Sequence, residues 1–208
     1  MNLFDRESPL GRLLCALSDL ITLNLLWLLG CLPVVTIGAS TAALYAVARE
    51  LTEGRCSGVF PAYRDAFRAN LKKSTATFVL LAVVGIILAA DVLLLLGGAF
   101  PLWVTALTAI PVVVFILCSG YVFPLQSRFD HTLRGTLLNS LIMGLIHLPV
   151  SLITAALNLL PAVWLMMYPY SFFKALPVWL LVGFSLTAMA NTLLFDRVFR
   201  RYSPQNVS

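Results

Sequence analysis

Charge is what this sequence has least of. Asp, Glu, Lys and Arg make up 11% of its 208 residues, against about 25% in an ordinary soluble domain. That scarcity excludes a water-facing surface of normal composition. Cysteine is sparse and badly spaced for chemistry: Cys15, Cys31, Cys56 and Cys118 form no CxxC or Cys/His cluster, which removes the common zinc and dithiol arrangements. Three of the four lie in apolar stretches, where Cys acts as a small hydrophobe. Catalytic signatures are missing too. The sequence has no GxSxG, HExxH or GxxxxGK[ST], and no span carries paired carboxylates, so hydrolase, zinc-protease and phosphate-loop chemistry lack their residues. A non-enzymatic protein with no cofactor and no metal is the expectation.

What is present in quantity is apolar. Hydrophobic residues reach 60% and the mean hydropathy is +0.94. A compact soluble fold cannot hide that much apolar surface, so the excess must face lipid. The chain reads as one membrane domain over 1–208, an all-α polytopic transmembrane bundle. Ser8-Pro9 suits a helix start, with Ser as cap and Pro at the first helical position. The run Leu13–Leu32 is long enough to span, extends too far for a cleavable signal and is read as a retained anchor. Thr75–Leu96, Leu102–Val122, Leu137–Leu160 (interrupted by Pro149) and Val178–Phe195 make five clear spans. Gly97-Gly98 with Pro101 marks a tight turn. Trp103 stands like an interfacial anchor, and the aromatic, Pro-rich stretch Pro161–Pro177 reads as a boundary segment. Ala39–Leu51 is either a short sixth span or a re-entrant helix. Its Ala39, Ala42, Ala43 and Ala46 fall at a spacing that suits close helix packing. No internal repeat is evident.

The formal charge is +5, with a pI of about 9.3. The basic residues sit beside apolar runs, which fits membrane topology and anionic headgroups, with no basic stripe for nucleic acid. The main polar stretch is 49–73. Within it Phe60, Tyr63, Phe67 and Leu71 recur every three or four residues, while Arg64, Arg68, Lys72 and Lys73 lie largely off that row. This predicts a basic amphipathic helix, either an interfacial lead-in to the next span or a docking surface for a cytoplasmic partner. Placing 49–73 inside also puts the 124–135 loop and the basic tail 196–208 inside, with a cytoplasmic C-terminus. If 39–51 crosses, the N-terminus is cytoplasmic as well and every basic residue but Lys174 is on that side; this is the favoured topology for a multi-pass protein of the cell membrane.

Polar residues in or near spans are the candidate sites. Asp91 is an acid six residues before the Gly97 turn, so it either reaches the outer interface or forms a polar site inside the bundle. His147 precedes Pro149, where a local structural role competes with proton relay. Asn24, Asn139, Asn158 and Asn191 are suited to interhelical hydrogen bonds. The break at Pro33, Thr36 and Gly38 is either an ordinary outer loop or, if buried, a ligand-binding helix start.

Several of these residues also carry a resemblance. Asn24-Leu-Leu-Trp27, Leu32-Pro-Val-Val-Thr-Ile-Gly38, Ala43-Leu-Tyr45, Phe67-x-x-Asn70, Tyr121-Val-Phe-Pro-Leu125 with Arg128-Phe129, and His147-Leu-Pro149 together resemble the YesL-like bacterial membrane proteins, from about Leu13 to Tyr202. That family has no established activity and brings no catalytic or ligand-binding residues. Its gene neighbourhoods imply an accessory role in carbohydrate uptake or utilisation in a Gram-positive bacterium, beside a carbohydrate ABC transporter or a regulatory membrane protein. A small solute transporter or channel using the intramembrane polar residues is the alternative. Either form is compatible with a homo-oligomer in the lipid bilayer.

Overall fold

The computed structural model describes residues 9–98, 100–129 and 132–199, and no β-strand occurs among them. Arg6, Asp130, His131, Arg200 and Arg201 lie outside the described residues. The elements run α1 (Pro9–Cys31), a 3-10 turn (Val34–Thr36), α2 (Ile37–Thr52), α3 (Val59–Gly97), α4 (Leu102–Gln126), α5 (Leu133–Ile146), α6 (Leu148–Met167), α7 (Pro169–Val178), a π-helical turn (Trp179–Gly183) and α8 (Phe184–Phe199). Six helical stretches among the described residues are long and apolar enough to cross a membrane, and Val34–Thr52 is one of them. The chain is an all-α, multi-pass helical bundle.

Its burial pattern inverts that of a soluble protein. Leu29, Ile86, Leu93, Leu94, Leu96 and Met166 are all more than 60% exposed, while Asn24, Ser40, Ser74, Thr77, Ser185 and Asn191 are completely buried. Lipid tails accept the outer Leu and Ile side chains, whereas small and hydrogen-bonding residues bring the helices together inside.

Helix α2 occupies the centre. Ala39, Ala42 and Ala43 are fully buried and Ala46 nearly so, with Leu44, Val47 and Ala48 buried beside them. The alanine face expected from the sequence is therefore one part of a helix enclosed almost all round. At its start Gly38 lies against α3 so closely that a Cβ there would stand 2.2 Å from the Ser74 carbonyl oxygen. Backbone-to-backbone approach of this kind requires glycine.

Three helix limits differ from the sequence expectation. The amphipathic stretch and the following span are one helix of 39 residues, α3, which at helical rise is about 58 Å long. On its first half Tyr63 is buried and Phe67 half-buried against the core, whereas Phe60 and Leu71 are exposed. The row is thus rotated, because the partner is α2 rather than a flat interface. The predicted span Leu137–Leu160 is two helices, α5 and α6, divided at His147 (φ −104°, ψ 47°). Pro149 accounts for the division, since it has no N–H to continue α5 and sits well near a new helix start. The Ser151 hydroxyl donates to the Gly144 carbonyl at 2.7 Å and so satisfies a carbonyl exposed by the bend. Finally, Pro161 and Pro177 lie inside α6 and α7, so the aromatic boundary segment is helical and joins α8 through the π-turn.

Replacing Gly38 by Leu is expected to separate α2 from α3 and to lower stability by about 2–3 kcal/mol. Gly97→Ala, where no atom lies within 4 Å of the added Cβ, should leave stability nearly unchanged. Thermal unfolding of both variants in mild detergent tests this; an unperturbed Gly38→Leu protein would refute the close-packing account.

Candidate intramembrane cavity at the helix break

The π-turn is where the last helix is widened. The ladder there widens to π geometry over Trp179–Gly183, two residues after Pro177. Asn24 of α1 completes that ladder. Its Nδ2 donates to the Leu180 carbonyl at 2.6 Å and its Oδ1 accepts from the Ser185 N–H at 2.9 Å. Those two backbone groups are five residues apart, the pair that a π-turn joins directly. The Asn24 amide is inserted between them and is fully buried. Gly183 contributes from the other side. A Cβ there would meet the Trp179 ring at 2.6 Å, so glycine lets the indole fold back across its own turn.

Beside this turn lies a cavity of about 130 Å³, lined by Trp27, Tyr45, Asn158, Trp179, Phe184 and Thr187, with further aliphatic residues. Its aromatic wall is continuous. Trp27 and Phe184 have ring centroids 4.3 Å apart, Trp179 and Phe184 6.2 Å, and Trp164 stands 6.4 Å behind Trp179. Trp27 Nε1 donates to the Thr41 hydroxyl at 3.3 Å. Two lining residues, Asn158 and Tyr45, are tied into one network from behind by Asn191, whose Nδ2 donates to Asn158 Oδ1 at 2.9 Å and to the Tyr45 hydroxyl at 3.1 Å. Asn191 is completely buried and Asn158 exposed, so the network runs from the bundle interior to its surface. Two buried polar atoms keep unused capacity: Trp179 Nε1 and Asn191 Oδ1 have no hydrogen-bond partner. Buried groups of this kind are normally satisfied, and exceptions mark sites where water or a ligand belongs.

The sequence-predicted residues fall into separate places. Asn24, Asn158 and Asn191 converge on this region. Asp91 is exposed on α3, and no hydrogen bond or ion pair joins it to His147. His147 stays at the α5–α6 division, where its carbonyl accepts from the Ser151 N–H at 3.0 Å. Asn139 is half-buried on α5. In the Pro33–Gly38 break, Pro33, Val34 and Val35 are exposed. The Thr36 hydroxyl is engaged locally, lying 2.7 Å from the carbonyls of Gly30 and Pro33. Arg64, Arg68 and Lys72 point outward from α3 and Lys73 is half-buried.

Sequence reasoning missed the aromatic wall and the partners of the amides. Trp27 stands out only within the Asn24–Trp27 resemblance and Trp179 lies unremarked in the predicted span Val178–Phe195, and nothing in their spacing announces a shared cavity. It also missed Gln126, whose Oε1 accepts from Ser74 at 2.8 Å and whose Nε2 donates to Thr77 at 2.6 Å, locking α4 onto α3. A Gln at the end of an apolar run was the available signal.

Replacing Asn24 by Leu strands the Leu180 carbonyl and the Ser185 N–H and is expected to destabilise the protein by about 2 kcal/mol. Asn158→Ala, which removes one bond near the surface, should cost only about 0.6 kcal/mol. Unfolding midpoints in detergent give the comparison, and equal losses would contradict the role given to Asn24.

Residues 20–92, just over a third of the chain, match the family described as "Protein of unknown function, DUF624". The matched segment holds Asn24, the Pro33–Gly38 break, all of α2 and most of α3, whereas Asn158, Trp179 and Asn191 lie beyond it. No curated protein and no solved structure matches the chain. By its helices this is a multi-pass membrane protein, and by residues 20–92 it is similar to an uncharacterised family.

Proposed function

We propose that this chain is a non-enzymatic binding protein of the cell membrane, an accessory component of carbohydrate uptake or utilisation. The observation that carries the binding reading is the chemistry of the cavity. Indoles, an amide and hydroxyls line it, groups that stack and hydrogen-bond, and the donor Trp179 Nε1 remains open, while the unpartnered Asn191 Oδ1 lies behind the lining residues Asn158 and Tyr45. The carbohydrate association is supported by the resemblance to YesL-like proteins, several of whose elements fall within the 20–92 match. The partner class that this resemblance favours is a carbohydrate ABC transporter or a regulatory membrane protein. The clustering of Arg and Lys beside the spans supports cytoplasmic N- and C-termini.

Affinity capture in mild detergent from the native membrane is expected to recover one specific membrane complex. Recovery of the protein always alone, or only with copies of itself, would count decisively against the accessory role.

The cavity also supports a second reading, a small solute transporter or channel. Its amide network reaches from a fully buried to an exposed residue, as a polar route through a bundle would. Proteoliposomes should then show solute flux that Asn191→Leu abolishes, with Asp91→Asn testing whether the exposed acid participates. No flux for any sugar tried would remove this reading.

A further inference from the structure

A second place in the bundle leaves a polar group without its partner, and there the group is charged. Arg49, near the end of α2, has its Nε buried with no hydrogen-bond partner. Two of the nearby carboxylates are engaged elsewhere. Glu53 pairs with Arg55, and Asp196 pairs with Arg128. Among the described residues no carboxylate lies within ion-pair distance of Arg49. Arg128 faces the same crevice and lies over the Phe199 ring at 4.8 Å. With Ser127, Thr192, Tyr45 and Phe195 these two arginines line a crevice of about 10 Å³. That space admits about one water-sized group.

Arg49 is half-buried, and its one buried donor, Nε, lacks an acceptor. An unmet buried N–H is costly, and guanidinium N–H groups match phosphate oxygens in geometry and charge. Glu50 and Asp196 are the carboxylates closest in influence, and neither supplies an acceptor to Arg49 Nε. We propose that this crevice is an anion site that takes one oxygen of a phosphate group, donated to by Arg49 Nε, with the rest of the phosphate outside the opening. A lipid headgroup and a free phosphate offer the same oxygen. The site is separate from the 130 Å³ cavity and does not depend on the carbohydrate reading.

The test uses the purified full-length protein in nanodiscs. Unfolding midpoints are measured in pure phosphatidylcholine, in phosphatidylcholine with phosphatidylglycerol, and in pure phosphatidylcholine titrated with inorganic phosphate at constant ionic strength. The wild type is expected to gain stability with at least one probe. A response to phosphatidylglycerol alone assigns the oxygen to a headgroup, and a response to inorganic phosphate assigns it to a soluble anion. Arg49→Gln should weaken the response about tenfold or more, while Arg68→Gln, on the exposed face of α3, should retain it. If Arg49→Gln fails to fold, Arg49→Lys serves instead, because it keeps the charge and lacks Nε; it too should weaken binding about tenfold. The absence of any response in the wild type overturns the proposal. So does an unchanged response in the Arg49 variant, or an equal loss in Arg68→Gln, which would make the effect a diffuse surface one.

Discussion

Hydrogen bonds and close backbone contacts between helices hold this bundle together, because lipid removes the force that would otherwise do so. An exposed Leu gains little by leaving a hydrocarbon phase for an apolar core. The long exposed rows of α3, α4 and α6 are therefore not a defect of packing. They leave cohesion to the few places where helices meet through polar or very small residues. Gly38 on Ser74 is one. Gln126 between Ser74 and Thr77 is another, and so are Ser40 on Tyr63 at 2.7 Å and Ser151 on Tyr121 at 3.2 Å. Aromatic contacts add to these at one end of the bundle, where Phe195 lies 4.8 Å from Tyr121 and 5.7 Å from Phe199 between ring centroids. Each such pair contributes on the order of 1 kcal/mol.

The same constraint explains the shape of the last helix. A proline in a soluble helix can leave its orphaned carbonyl to water. In lipid the carbonyl must find a protein donor. The run from Pro169 to Phe199 widens over Trp179–Gly183, and there Asn24 supplies the Leu180 carbonyl with a donor and the Ser185 N–H with an acceptor. An amide is suited to the position because it donates and accepts at once. Aspartate would offer no donor to Leu180, and leucine neither partner. The widened turn in turn sets the direction of Trp179, and with it the aromatic wall of the cavity.

How far this was legible in the sequence depends on the kind of force involved. Composition and long apolar runs identified the helical membrane class, since both follow from one residue at a time meeting lipid. The small-residue spacing of Ala39, Ala42, Ala43 and Ala46 marked one packing face of α2, and left its enclosure on the other faces unread. Asn24, Asn158 and Asn191 stood out because amides are rare in such runs. Their partners did not. Asn24 bonds to residues 156 and 161 positions away, and no local pattern encodes a separation of that kind. Prolines misled in the opposite direction: Pro149 does divide a span, while Pro161 and Pro177 are absorbed within helices. The difference lies in whether neighbouring helices can satisfy the freed carbonyls, which is a tertiary property.

Hydrogen-bond saturation is unevenly distributed across the molecule, and the unevenness separates structural contacts from candidate sites. Where α3 meets α4, Gln126 uses both its acceptor and its donor, and Thr77 passes its own proton to the Lys73 carbonyl at 2.9 Å. Such a contact is complete, and a ligand would have to break it to enter. Around α2, α7 and α8 the account stays open at Trp179 Nε1, Asn191 Oδ1 and Arg49 Nε. Tyr45 lines both the neutral cavity and the arginine crevice, so the two lie on either side of one buried ring. These unmet groups stand at or directly behind a cavity wall, whereas the buried Thr75 hydroxyl on α3, also without a partner, lines neither cavity. An unmet group beside open space is the local inconsistency expected of a site rather than of scaffold.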